Sequence, residues 1–191
     1  MKQLPNLLTL LRFILTIFFI QYLSQNGLSS AIVATSIFVF ASLTDYYDGY
    51  IAKRYDCITN FGKIMDPIAD KFLVLAAFYI FVQMAIIPHW MFFLIFIREI
   101  LVTGWRLVAV TQGRVLAAEK AGKYKTVLQV IVISVILTFI IIRQTKLVSA
   151  WPTSIIYGWQ WTIVILMWTT VAITVFSGLL FFWHNRKLID V

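Results

Sequence analysis

The sequence predicts an all-α integral membrane protein with six transmembrane helices, both termini cytoplasmic, forming one domain over residues 1–191. Composition, the spacing of the apolar runs and the sidedness of the cations carry that expectation. Of the 191 residues, 61% are hydrophobic and 13% charged, against roughly 45–50% and about 25% in an ordinary soluble domain. A soluble core of this size cannot hide so much apolar side chain, which excludes a disordered chain, a secreted disulfide scaffold and a soluble enzyme. The single cysteine, Cys57, can form no intramolecular disulfide and gives no metal-ligand spacing.

A helix needs roughly 20 mainly apolar residues to cross a bilayer, and six runs qualify: about 7–23, 31–52, 67–87, 90–110, 126–142 and 155–183. Arg12 interrupts the first and no A-x-A-like cleavage site follows, so it reads as a retained helix rather than a signal peptide. Gln25-Asn26-Gly27 separates it from the second. The third belongs to a helix starting near Asn60 to Gly62, with Pro67 tolerated in the first turn. Pro88-His89 closes the third run and Gln112-Gly113-Arg114 the fourth. The sixth, after the break from Ser149 to Pro152, is long enough to tilt or to extend into the interface.

Six spans place both ends on one side. Lys2, Arg12, Lys53, Arg54, Lys63, Lys71, Arg106, Arg114, Lys120, Lys123, Lys125, Arg186 and Lys187 then fall on that side or just inside it. Only Arg143 and Lys146 fall opposite, with Arg98 in mid-span, so the basic excess makes the terminal side cytoplasmic. The net charge of +8 reads as a flank for anionic lipid. Nucleic acid is excluded as a partner, because no basic run is interleaved with aromatics outside the apolar segments. His89 and His184 sit at span boundaries, and tryptophans such as Trp90, Trp151 and Trp183 read as an interfacial belt.

The chemistry concentrates between the second and third runs. Asp45 and Asp48 are i,i+3, and Asp66 and Asp70 are i,i+4. On α-helices each pair shares a face, about 4.5 and 6 Å apart along the axis. The second run descends to the cytoplasmic face and the third returns, so the pairs lie at similar depth and their faces can meet. A carboxylate costs roughly 2.5–3.5 kcal/mol at a helix centre on insertion scales, less near the interface. Four together stay ionised only beside cations. Oxygen ligands alone point to a hard ion, Mg²⁺ or Mn²⁺. Two such ions balance four charges and can clamp both ends of a phosphoryl displacement. Gly49 and Ala52, also i,i+3, leave a groove where a substrate reaches the backbone; close helix packing uses the same residue types, and both readings stand.

The run Asp45-x-x-Asp48-Gly49-x-x-Ala52-Lys53, eight residues, then Gly62-x-x-x-Asp66-x-x-x-Asp70 resembles the signature of the CDP-alcohol phosphatidyltransferases, D-x2-D-G-x2-A-R-x8-G-x3-D-x3-D. The spacing is met throughout. The one departure is Lys53 in place of Arg, which keeps a point charge but gives up the bidentate fork. Pro5-Asn6-x-x-Thr9-x-x-Arg12 is similar to the family's N-terminal nucleotide-binding stretch. Arg98-Glu99-x-x-x-Thr103-Gly104-x-Arg106 and Gly122-Lys123-x-Lys125-Thr126 are similar to segments of one branch, the phosphatidylglycerophosphate synthases.

The resemblance implies attack of an alcohol hydroxyl on the β-phosphorus of a CDP-linked lipid, with release of CMP. It implies that Asp45, Asp48, Asp66 and Asp70 ligate two metal ions and that Asp70 takes the proton of the attacking hydroxyl. Gly49, Ala52, Lys53 and Thr59 are then expected at the CDP-lipid, with Asn6 and Thr9. The branch resemblance makes CDP-diacylglycerol the donor and glycerol 3-phosphate the acceptor, in an inner or plasma membrane, and a homodimer is expected from the family.

Arg98, Arg106 and Lys123 are expected to hold the acceptor phosphate. A mid-span ionisable residue is by default a functional hypothesis, but Arg98 can equally be a structural pair for Glu99, and Arg106 and Lys123 can be cytoplasmic flank. Lys125, Arg114, Lys120, Arg186 and Lys187 read as flank only. The same chemistry on inositol phosphate, a phospholipid or an uncharged alcohol is the competing reading. A small cation transporter is the remoter one, disfavoured because the acids other than Glu99 cluster near one face.

Overall fold

The computed structural model describes residues 4–55, 60–111, 120–145 and 152–185. They form six α-helices and, among the described residues, no strand: α1 (Leu4–Leu23), α2 (Leu28–Tyr55), α3 (Asn60–Gln83), α4 (His89–Thr111), α5 (Lys120–Gln144) and α6 (Thr153–His184). Each expected apolar run falls on one helix, in order, the third overrunning the end of its helix by four residues. The shortest has 20 residues, about 30 Å at 1.5 Å per residue, already the thickness of a hydrocarbon core.

Two compact units divide the chain: residues 1–80 with 136–151, and 81–135 with 152–191. In the first, α1 and α2 form a hairpin through a short turn in which the Ser30 hydroxyl donates to the Gly27 carbonyl at 2.8 Å. Ala31, Ala34, Phe38 and Ala41 are all buried on α2. Their 3–4–3 spacing is one helix face, and three alanines let a neighbouring backbone come close. Phe19 of α1 meets Phe38 at 5.8 Å between ring centroids, and Phe13 meets Phe72 of α3 at 5.5 Å.

In the second unit, Trp90 meets Trp168 at 5.1 Å between ring centroids, the rings tilted by 57°, and Trp105 meets Phe182 edge-on at 6.3 Å. Contacts that advance together along both helices mean that α4 and α6 run parallel. Ile95, Val102, Ile133, Met167, Val171 and Phe181 are buried in its core.

The polarity of several helices is inverted relative to a soluble protein. On α6, Thr170, Thr174 and Ser177 are buried while Trp161, Ile165, Trp168, Leu179 and Trp183 are exposed. On α1, Thr9, Arg12 and Thr16 are buried while Leu10, Ile14, Ile17 and Phe18 are exposed. Apolar surface of this extent suits contact with lipid. Tyr124–Gln144 and Thr153–His184 are each long and apolar enough to cross a membrane, with shorter apolar stretches at Thr9–Leu23, Leu28–Thr44 and Lys71–Gln83. The protein is a membrane protein. Arg98, Glu99 and Arg106 break the apolar run of α4.

Three local expectations need correction. The third helix stops at Gln83 rather than continuing to 87, because Ala85 takes the left-handed conformation (φ 55°). There the Ile86 N–H donates to the Phe81 carbonyl at 2.9 Å and the Ala85 N–H to the Val82 carbonyl at 2.9 Å, a Schellman closure. Pro67 is not in a first turn: α3 begins at Asn60, so the proline sits in the interior and the Lys63 carbonyl loses its i+4 donor. Helix α5 starts at Lys120, six residues before the apolar run, since Lys and Ala are strong helix formers. That extension places Lys125 inside the fold.

Candidate active site

Asp45 and Asp48 lie ten and seven residues before the end of α2; Asp66 and Asp70 lie six and ten residues after the start of α3. At 1.5 Å per residue both pairs stand about 9–15 Å along their helices from the 56–59 connection. Unbroken helix through each pair puts its two members on one face. The side chains of these four residues lie outside the described set, as do those of Asn6, Gly49, Ala52, Lys53 and Lys123, whose backbones are helical; Thr59 lies outside the described residues altogether. The donor set fits a hard divalent ion. These helix positions offer carboxylate oxygen, which Mg²⁺ and Mn²⁺ prefer, and four carboxylates so close in the chain need counter-charge.

Thr9 is described and buried, on the same face of α1 as Arg12 (2% exposed) and Thr16 (0%). The Thr16 hydroxyl donates to the Arg12 carbonyl at 2.8 Å. The face of α1 that carries the Thr9-x-x-Arg12 stretch is therefore turned inward.

Within the second unit, the acceptor candidates differ from one another. Arg106 is exposed, its guanidinium over the Phe181 ring at 5.4 Å from the centroid, a cation–π contact. Arg98 is largely buried, its side chain 12% exposed. Its Nη1 lies 3.5 Å from Glu99 Oε2, and its Nη2 donates to the Ser177 hydroxyl at 3.0 Å. The alternative of an Arg98–Glu99 pair is thus present in the structure.

Glu99 is the one acidic side chain among the described residues and is 1% exposed. Its Oε1 also accepts from Lys125 Nζ and, at 3.3 Å, from Gln129 Nε2. Lys125 and Gln129 are each 1% exposed. Reading Lys125 as flank is therefore wrong: burial and an ion pair hold it in the protein interior. Sequence reasoning also passed over Gln129, Ser177 and Gly178. The available signal was Glu99 itself, a mid-span acid that needs cations on neighbouring helices.

Residues 2–176 match the family described as CDP-alcohol phosphatidyltransferase. A Bacillus subtilis (strain 168) relative called CDP-diacylglycerol–glycerol-3-phosphate 3-phosphatidyltransferase is 44% identical over 149 residues, 72% of this chain and 77% of the relative. One of the same name from Rickettsia bellii is 30% identical over 186 residues, 97% of each chain. A Mycobacterium tuberculosis protein called probable phosphatidylglycerophosphate synthase is 38% identical over 134 residues, 69% of this chain and 64% of that one. With nearly the whole of its helical length matched, the chain belongs to the CDP-alcohol phosphatidyltransferase family.

Proposed function

We propose that this protein transfers the phosphatidyl group of CDP-diacylglycerol to glycerol 3-phosphate, giving phosphatidylglycerophosphate and CMP. The observation that carries this is the name shared by relatives at 44% identity and, at 30%, over 97% of the chain. The paired aspartates at matching depth on α2 and α3 supply chemistry suited to it. The glycerol 3-phosphate hydroxyl attacks the β-phosphorus, the bond from that phosphorus to the oxygen of CMP breaks, and the hydroxyl proton passes to Asp70. Asp45, Asp48, Asp66 and Asp70 would hold divalent ions, two in this reading, of Mg²⁺ or Mn²⁺. Such ions supply charge stabilisation for the pyrophosphate as CMP departs.

Gly49 and Ala52 let the nucleotide approach the α2 backbone, and Lys53, Thr59, Asn6 and Thr9 bind the CDP part. Arg98, Arg106 and Lys123 bind the acceptor phosphate. The reading takes the chain as one domain of six spans in the inner membrane, ends and active site facing the cytoplasm, with a lateral opening through which acyl tails stay in lipid. The parallel course of α4 and α6 supports it, because α5 must then cross back between them. A homodimer belongs to the same reading.

The test is CMP release by the purified protein given CDP-diacylglycerol, Mg²⁺ or Mn²⁺, and glycerol 3-phosphate, with inositol phosphate, serine and no acceptor in parallel. Release that requires both the metal and glycerol 3-phosphate is expected. Release with another acceptor alone would overturn the acceptor assignment and leave the metal site standing.

A further inference from the structure

The contacts around Arg98 form a socket rather than a single ion pair. Its Nη1 faces Glu99 Oε2 on α4, and its Nη2 donates to Ser177 Oγ on α6. Ser177 Oγ in turn donates to the Thr174 carbonyl at 3.0 Å, which fixes its lone pairs toward the arginine. Between these anchors the aliphatic stem crosses α6 at Gly178. A Cβ built on that glycine would stand 2.9 Å from Arg98 Cγ and 3.5 Å from its Nε. Cγ is near the root of the side chain, so the clash could not be relieved by swinging the tip. Glu99 is pinned in its turn by Lys125 and Gln129 of α5.

Among Arg98, Glu99 and Lys125, two cations face one carboxylate. A helix of lipid-exposed apolar residues has no need of Gly178 or a buried Ser177 for partitioning. Both stand just beyond residue 176, where the family match ends. A guanidinium has five donors, enough to be anchored and to bind a phosphate at once.

We propose that Ser177 and Gly178 of α6, with Glu99, are positioning residues that hold Arg98 in the orientation in which it binds the phosphate of the acceptor alcohol. The assignment rests on the acceptor reading above and deepens it. A fixed guanidinium fork recognises a phosphate more selectively than a mobile one, because the ordering cost is met during folding.

The full-length protein in detergent, assayed for CMP release at varied glycerol 3-phosphate and varied CDP-diacylglycerol, tests it. Gly178→Ala is expected to raise the KM for glycerol 3-phosphate about tenfold, a change of about 1.4 kcal/mol, with the KM for CDP-diacylglycerol within about twofold. Ser177→Ala is expected to act in the same direction and less. In an Arg98→Ala background, Gly178→Ala is expected to add nothing, since the group it displaces is gone. Glu99→Gln is expected to follow Gly178→Ala; should it fail to fold with its buried cations unpaired, Gly178→Ala and the double variant still decide.

An unchanged KM for glycerol 3-phosphate in Gly178→Ala, an equal rise for both substrates, or full additivity with Arg98→Ala would overturn the positioning role. Wild-type protein whose CMP release ignores glycerol 3-phosphate would overturn the acceptor reading and this assignment with it. The two failures are distinct, because in the first the wild type still responds to glycerol 3-phosphate.

Discussion

Asp70 is asked both to hold a metal ion and to receive a proton. Its replacement by Asn keeps the volume and one oxygen but removes the base. Asp70→Asn is expected to lower CMP release by roughly 10²–10⁴-fold, the range of a general base, in a protein whose thermal midpoint stays near that of wild type. At Lys53 the expectation runs the other way. An arginine there restores a fork that grips a phosphate with two parallel bonds, so Lys53→Arg should lower the apparent KM for CDP-diacylglycerol a few-fold; a higher KM would show that the lysine is fitted to its place. The aspartate reading rests on the sequence, where four carboxylates at i,i+3 and i,i+4 have few innocent explanations; their side chains lie outside the described residues. Lys125 was not legible in the sequence, because the positive-inside rule accounts for any lysine near a span. Only its partner Glu99, 26 residues away, marks it as interior. Gly178 was illegible for a similar reason: small residues in apolar helices usually serve packing, and the stem of Arg98 had to be seen crossing it.

At the scale of elements, six helices were readable from apolar runs alone, while their ends followed local chemistry that hydropathy does not register. The Schellman closure after α3 is one such end. Ala85 occupies the position that glycine usually takes, at φ 55°. A left-handed L-residue costs roughly 1–2 kcal/mol, and the glycine that relieves it gives back about 0.4–1 kcal/mol through the freer unfolded chain. Ala85→Gly is therefore expected to stabilise the protein by about 0.5–1 kcal/mol, read as a higher thermal midpoint in detergent. A lower midpoint would show that contacts of the Ala85 methyl outweigh the backbone. The early start of α5 is the complementary case. Its basic first turns look like loop by hydropathy, yet helix continues through them and carries Lys125 into contact with Glu99.

For the whole molecule, the proposed topology has a built-in reporter. Cys57 is the single cysteine and falls in the connection that follows the first aspartate pair. With both ends cytoplasmic, a membrane-impermeant maleimide should label it in inside-out vesicles and leave it unlabelled in right-side-out ones; the reverse pattern would invert the topology. The inverted polarity of α1 and α6 explains why the molecular class was legible from composition while the interior was not. A sequence shows that polar residues are scarce, and only the fold shows that Arg12, Thr174 and Ser177 are the ones turned inward.

The buried charges of α4 also bear on how the protein is made. A charge at a helix centre costs roughly 2.5–3.5 kcal/mol on insertion scales, and the 3.5 Å contact between Arg98 and Glu99 within α4 offsets only part of it. Yet the partners that settle Glu99 and Arg98 lie 26 and 79 residues further along the chain. At about 5–20 residues per second of synthesis, Ser177 arrives on the order of ten seconds after Arg98. During that interval α4 is a poor solute for lipid. In the proposed six-span reading, stable entry of α4 into the bilayer would await α5 and α6, and the second half of the protein would be born as a group of three helices rather than one at a time.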